Sequence, residues 1–215
     1  MSEAALRSLL QHHPVIAILR GLPDDQLLPT VEALERGGIR LVEVALGTPD
    51  DLRRVAQVAG AFPGLMVGAG TVVSASLAET AVRHGATFLL TPHVAEDAVR
   101  AAADLGVPII PGAFTPTEIQ RCLTLGCAAV KLFPAHLGGP EYLRALRAPY
   151  PDLPLIAVGG VTPGNLHDYL RAGAVGVGMG GQLVPPSRLP DYAAIQERAR
   201  ACALLPAPPA PDPVP

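Results

Sequence analysis

The stretch "VPIIPGAFTPTEIQRCLTLGCAAVKLFP", residues 107–134, holds the rhythm on which the reading of the whole chain depends. Its opening, "VPIIPG" at 107–112, is a short apolar run bounded by turn residues, the mark of a strand. "TPTEIQRCLTLG" then begins Thr-Pro-Thr-Glu, with a glutamate three residues after a capping threonine, and stops at Gly126, as a helix does. "AAVKLFP" at 128–134 is a second continuous apolar run, of the kind found where a strand is covered on both faces.

The same alternation extends in both directions. Apolar runs recur as "VIAIL" (15–19), "LVEVAL" (41–46), "LMVGAG" (65–70), "TFLLTP" (87–92), "LIAVGG" (155–160) and "VGVGMG" (175–180), which with the two above makes eight. Segments with helical spacing lie between them, among them "DDQLLPTVEALERGG" and "TPGNLHDYLRAGA". Eight alternations of continuous apolar strand and helix predict an α/β fold of the closed parallel (β/α)8 TIM-barrel type, with an open doubly wound sheet as the alternative. At 215 residues and 49% hydrophobic content the chain suffices for a single well-buried domain, assigned to residues 1–203. The Pro/Ala-rich tail, 204–215, is expected to be disordered.

Composition removes several classes of function. A net charge of -3 and the absence of any Lys/Arg run give no footprint for nucleic acid. No apolar stretch approaches the ~18 residues of a membrane-spanning helix, and "MSEAALRSLLQHHP" lacks the apolar core of a signal peptide. Cys122, Cys127 and Cys202 form no CxxC and leave one unpaired, which fits a reduced, cytoplasmic protein. The six histidines show no HxH or HExxH pattern, so a metal-dependent mechanism has no obvious ligands, and imine chemistry on a lysine would need no organic cofactor either.

Lys131 is the one lysine of the chain; the other basic residues are all arginine. It lies inside an apolar run, where a hydrated ammonium is out of place. An arginine cannot lose its proton, whereas a desolvated lysine can, and then attacks a carbonyl carbon. Lys131 is thus a candidate for imine chemistry, the alternative being a survivor that snorkels from a strand end. Glu43 sits in "LVEVAL", where a charge is costly unless paired or working. It reads as a general acid/base or as a buried salt-bridge partner of Arg20 or Lys131.

In such a barrel the chemistry gathers at the carboxyl ends of the strands. Arg20, Thr71, Pro92 and Thr115 fall at those ends, and Phe133 shares a strand face with Lys131. Arg20 is suited to a bidentate carboxylate contact and Thr71 to a hydroxyl donated to the same group. Gly159-Gly160 after the seventh run, and Gly180-Gly181 after the eighth, occupy the position where many such barrels bind phosphate through backbone amides.

At these residues the sequence resembles the 2-keto-3-deoxy-6-phosphogluconate (KDPG) aldolase family, including its 2-dehydro-3-deoxy-6-phosphogalactonate branch. The segments "VIAILRG", "VGAGTV", "IIPGAFTPTE", "VKLFPA", "VGGVTPGNL" and "GVGMGGQLV" match in order across roughly residues 12–185. The resemblance implies a metal-free class I aldolase, commonly a homotrimer, that cleaves a phosphorylated keto-deoxy sugar acid to pyruvate and glyceraldehyde 3-phosphate. It implies that Lys131 is the Schiff-base lysine and Glu43 the proton-transferring acid. Arg20 and Thr71 would surround the pyruvate carboxylate, Pro92 and Phe133 line the pocket, and Gly159 and Gly160 hold phosphate. Where many members carry an arginine after the strand-2 glutamate, this chain reads Leu46-Gly47-Thr48, and Gly181 replaces a common serine. Val158 replaces the threonine of many gluconate-type members, as in the galactonate branch. The rival readings are a 4-hydroxy-2-oxoglutarate or broader 2-oxo-acid aldolase, a non-catalytic phosphosugar-binding barrel, and an isomerase of a phosphorylated intermediate.

Overall fold

A computed structural model describes residues 2–203. The elements follow in the order α1 (Glu3–His12), β1 (Val15–Leu19), α2 (Asp24–Arg36), β2 (Leu41–Ala45), α3 (Asp50–Ala61), β3 (Met66–Gly70), α4 (Ala75–Arg83), β4 (Phe88–Leu90) and α5 (Glu96–Asp104). The second half comprises β5 (Ile109–Ile110), β6 (Gly112–Ala113), α6 (Pro116–Thr124), β7 (Val130–Leu132), α7 (Gly139–Arg147), β8 (Leu155–Val158), α8 (Leu166–Arg171), β9 (Gly176–Met179) and α9 (Tyr192–Ala203). The proposed Pro/Ala-rich tail, residues 204–215, lies outside the described residues.

All the strand pairs are parallel, in the order β5-β4-β3-β2-β1-β9-β8-β7-β6. β5 and β6 at the two ends of that order are consecutive pieces of one chain segment, so the sheet closes into a barrel through its own backbone. This confirms the (β/α)8 architecture and corrects the strand count. The fifth apolar run divides at Pro111, which has no N–H to give to a ladder. The Pro111 carbonyl still accepts from the Lys131 amide at 2.9 Å. Across the gap the buried hydroxyl of Thr91 accepts from the Gly112 amide at 3.2 Å and donates to the His93 carbonyl.

The period of two along each strand sorts the apolar residues into two separate cores. In β1, Val15, Ala17 and Leu19 face outward into the layer between barrel and helices, which also takes Val42 and Val44 of β2 and Val130 and Leu132 of β7. Ile16, Leu41, Phe88, Ile110 and Ile156 face inward and fill the barrel. Two glycines of β3 make room for large inward neighbours. A side chain on Gly68 would stand 2.5 Å from the Phe88 ring, and one on Gly70 would stand 1.7 Å from a carboxylate oxygen of Glu43.

The N-terminal segment, read above only as no signal peptide, forms α1. Ser2 caps it by accepting the Ala5 amide at 3.2 Å. Leu6 and Leu10 project from α1 into the inner cluster and plug the end of the barrel where the strands begin. Functional groups are thereby confined to the opposite mouth. Among the described residues no helix is long and apolar enough to cross a membrane.

Leu10 is 1% exposed. Leu10→Ala removes a plug that no neighbour can replace and is expected to destabilise the protein by about 2–5 kcal/mol in urea unfolding. A loss below about 1 kcal/mol would show that the inner cluster closes without α1.

Candidate active site

Glu43 is the middle residue of β2 and Lys131 that of β7. Two residues before each stand Leu41 and Ala129, both in the inner cluster, so strand alternation turns Glu43 and Lys131 inward, toward the mouth. Both are nearly sealed from solvent, at 1% and 5% exposure. Neither carboxylate oxygen of Glu43 has a hydrogen-bond partner among the described residues. The alternative reading of Glu43 as half of a bonded ion pair therefore has no bond to rest on.

The electrostatics follow from that burial. Desolvation pushes the Glu43 carboxyl above its ordinary value, while the charges of Lys131 and Arg20 pull it partway back. Desolvation pushes the Lys131 ammonium below its ordinary value; the Glu43 carboxylate opposes this and Arg20 adds to it. Acid and amine are thus both displaced toward the neutral forms that exchange protons and attack carbonyl groups. The Lys131 amine stands 4.9 Å from the centroid of the Phe133 ring, which supplies an apolar wall. That ring is 36% exposed and marks the rim of the mouth.

Arg20 follows β1 and donates to the Thr71 hydroxyl at 3.4 Å. Thr71 has φ +63°, a left-handed conformation that a β-branched residue adopts at a cost on the order of 1–3 kcal/mol. The strain belongs to the residue that follows Gly70, over which the Glu43 carboxylate lies. The turn therefore places guanidinium, hydroxyl and carboxylate around one opening.

Beyond β8, Gly159 and Gly160 have φ of +94° and +76°. A side chain on Gly159 would press on Phe133 at 3.3 Å, and one on Gly160 would strike the Cβ of His136 at 2.4 Å. The His136 amide donates to the Gly159 carbonyl at 3.0 Å, which ties the loop after the lysine strand to this glycine pair. The N–H groups of Gly160, Val161, Gly181 and Gln182 donate to no protein acceptor among the described residues. Val158 is inward-facing and buried beneath the pair, and Gly180 approaches Ile18 of β1.

Pro92 packs its carbonyl against Gly112, the residue in register with Lys131. Thr115, read above as a residue at a strand end, is engaged by the helix that follows it. It is exposed, caps α6, and donates its hydroxyl to the Glu118 carboxylate at 2.8 Å, while Glu118 also accepts the Thr115 and Phe114 amides. The Thr-Pro-Thr-Glu signal that marked the helix start already uses this side chain.

Two supporting residues escaped the sequence reading. Thr91 bridges the seam at Pro111, and its only signal is a hydroxyl residue inside an apolar run. Asp51 is buried and accepts from the Gly47 and Thr48 amides at 2.9 and 2.7 Å and from the Thr48 hydroxyl at 3.0 Å, fixing the loop after β2. Arg54 binds Asp51 at 2.6 Å and Asp24 at 2.8 Å, which joins that loop to the start of α2. Among the described residues no group of three or more His, Cys, Asp or Glu side chains has the arrangement of a metal site.

Comparison with known proteins agrees with this geometry. The family described as KDPG and KHG aldolase matches residues 6–198. The chain is 37% identical over 172 residues to the 2-dehydro-3-deoxy-6-phosphogalactonate aldolase of Escherichia coli K12, covering 79% of this chain and 84% of that protein. The KDPG aldolase of Zymomonas mobilis ZM4 with 3-phosphoglycerate is 29% identical and superposes with a TM-score of 0.86, covering 94% of this chain and 97% of the other. The KDPG aldolase of Legionella pneumophila, with pyruvate captured as a covalent carbinolamine, is 28% identical with a TM-score of 0.82, over 91% and 96% of the two chains. Matched along nearly its whole barrel in sequence and in three dimensions, this chain belongs to the KDPG and KHG aldolase family.

Proposed function

We propose that this barrel is a class I aldolase that cleaves a 2-keto-3-deoxy-6-phospho sugar acid to pyruvate and glyceraldehyde 3-phosphate. The observation that carries the reading is the placement of the single lysine in one apolar barrel mouth with a carboxyl that has no hydrogen-bond partner among the described residues. The Legionella relative with pyruvate held as a carbinolamine supports the same chemistry here.

The neutral amine of Lys131 attacks the C2 ketone, and loss of water from the carbinolamine gives a protonated imine. Glu43 relays protons in that dehydration and then takes the C4 hydroxyl proton as the C3–C4 bond breaks. The electron pair of that bond flows into the imine, forming an enamine and releasing the aldehyde. Protonation at C3 and hydrolysis return Lys131 and free pyruvate. An arginine at 131 has no lone pair to begin this sequence. Arg20 and Thr71 hold the carboxylate beside C2, Phe133 and Val158 wall the carbon chain, and the free amides after β8 and β9 receive the phosphate. Family membership supports a homotrimer, and three buried free cysteines support a reducing cytoplasmic setting.

Incubation with pyruvate and borohydride tests the reading directly. A reduced pyruvyl adduct is expected on Lys131 by peptide mass spectrometry, and Lys131→Arg is expected to give neither adduct nor turnover. An unmodified Lys131 in folded protein would sink the imine mechanism.

The pH dependence has a defined sign. Because burial lowers the Lys131 value, adduct formation is expected to rise with pH and level off at a midpoint below the ordinary lysine value of 10.5. A midpoint at or above that value would contradict the desolvated site.

Glu43→Gln separates chemistry from folding. Turnover is expected to fall about 10²–10⁴-fold with the loss of a proton relay. A carboxyl with a raised folded-state value contributes stability at low pH that is lost as pH rises through that value, so the variant is expected to melt higher at neutral pH. For a chain of this size each kcal/mol corresponds to roughly 2–4 °C, and the gain should vanish in acid, where Glu43 is protonated in both states. A variant that melts lower at neutral pH would count against an unpaired carboxyl at this position.

A further inference from the structure

On one side of the lysine strand the barrel is closed by a side chain. The pairing of β4 with β5 ends at Leu90 and Ile110, after which the Thr91 amide donates to the Ile110 carbonyl at 3.2 Å. β6 then pairs with β7 alone, Gly112 opposite Lys131 and Ala113 opposite Leu132. Among the described residues one hydrogen bond ties β6 back toward β4: the buried Gly112 amide donates to the Thr91 hydroxyl at 3.2 Å. Thr91 is 0% exposed, and its hydroxyl donates in turn to the His93 carbonyl. A hydroxyl serves both ends because it accepts and donates at once. The Pro92 carbonyl stands so close that a side chain on Gly112 would meet it at 2.4 Å, so the two segments are pressed together as well as bonded.

The strand that Thr91 fastens is the one that carries Lys131. The Lys131 amide donates to the Pro111 carbonyl at 2.9 Å and the Phe133 amide to the Ala113 carbonyl at 3.0 Å, while on its far side Lys131 pairs with Ile156 of β8. The Lys131 amine has no hydrogen bond and no ion pair of its own among the described residues. It sits on a flexible four-carbon stem, so its place is set by where the backbone starts that stem and by apolar walls such as the Phe133 ring. An attacking amine must reach its carbonyl carbon at about 3–3.5 Å, and a misplacement on the order of 1 Å can cost about 10²-fold in rate.

We infer that Thr91 is a positioning residue for Lys131: its hydroxyl fastens β6, and through β6 the strand that aims the amine. The inference rests on the proposed aldolase reading, which makes Lys131 the nucleophile. Thr91 touches no substrate, being sealed behind the barrel wall, and acts only through the backbone of Pro111, Gly112 and Ala113. A valine in its place has the same shape but leaves the buried Gly112 amide without an acceptor, and β6 is then held from β7 alone. A serine keeps both bonds.

The test compares full-length wild type, Thr91→Val and Thr91→Ser below their melting transitions, each rate being divided by the folded fraction. With saturating pyruvate, the initial rate of borohydride-trapped adduct on Lys131 is expected to fall about 10–100-fold in the valine variant and to stay within about 3-fold of wild type in the serine variant. In steady state kcat should carry the loss, with KM changed less than about 3-fold. Where Thr91→Val does not fold, Thr91→Cys, whose thiol is a weak donor and acceptor, is held to the same outcomes. An unchanged adduct rate per folded molecule, with only a lower melting temperature, would mark a merely structural threonine and overturn the inference. An equal loss in the serine variant would overturn it as well, by assigning the effect to the methyl group. Wild-type protein that forms no adduct would remove the aldolase reading itself, a failure distinct from one confined to the variants.

Discussion

A buried acid and a buried amine share an apolar barrel mouth, and neither oxygen of the acid has a hydrogen-bond partner among the described residues. Water would solvate Glu43 and Lys131 far better than Phe133, Val158 and the inward edge of β3 do, and the fold bears that cost. The surrounding geometry serves to keep the arrangement from relaxing. Gly70 lets the carboxylate lie where a methyl group would forbid it. The strained Thr71 then turns the chain so that Arg20 reaches across to it. Strong apolar cores on both faces of the strands supply the stability from which such a site draws.

Those two cores also explain what could be read from the sequence. A strand buried on both faces loses its alternation of apolar and polar residues, so eight continuous runs were visible as strands while their inward and outward positions were not distinguished by residue type. Glu43 and Lys131 were legible because they violate the pattern. Each is a charged residue in a run that otherwise tolerates none, and Lys131 stands out further because every other basic residue is arginine. The glycines after the seventh and eighth runs were legible by position.

Other features left no such trace. The division of the fifth strand at Pro111 depends on what the neighbouring strands offer, namely the Thr91 hydroxyl and the Lys131 amide, which lie 20 residues away in either direction. Thr115 carried two compatible signals, a helix cap and a hydroxyl at a strand end, and the capping box with Glu118 absorbed it. Asp51 is one of two acids in the first turn of α3, and its work on the amides of Gly47 and Thr48 is visible only once the loop is folded. The α1 plug was hidden because a helix that seals a barrel resembles any short amphipathic segment until its partner surface exists.

That plug has a kinetic meaning. With Leu6 and Leu10 filling the barrel from below, the end where the strands begin is closed, and Lys131 stands beside the Phe133 ring at the opposite mouth. On the proposed chemistry, what is tethered to the lysine is the innermost guest, and the fragment cut from it lies nearer the exit. Departure is therefore sequential by architecture: the outer fragment must clear the doorway before the inner one is set free, and in the reverse direction the inner guest must be seated before its partner arrives.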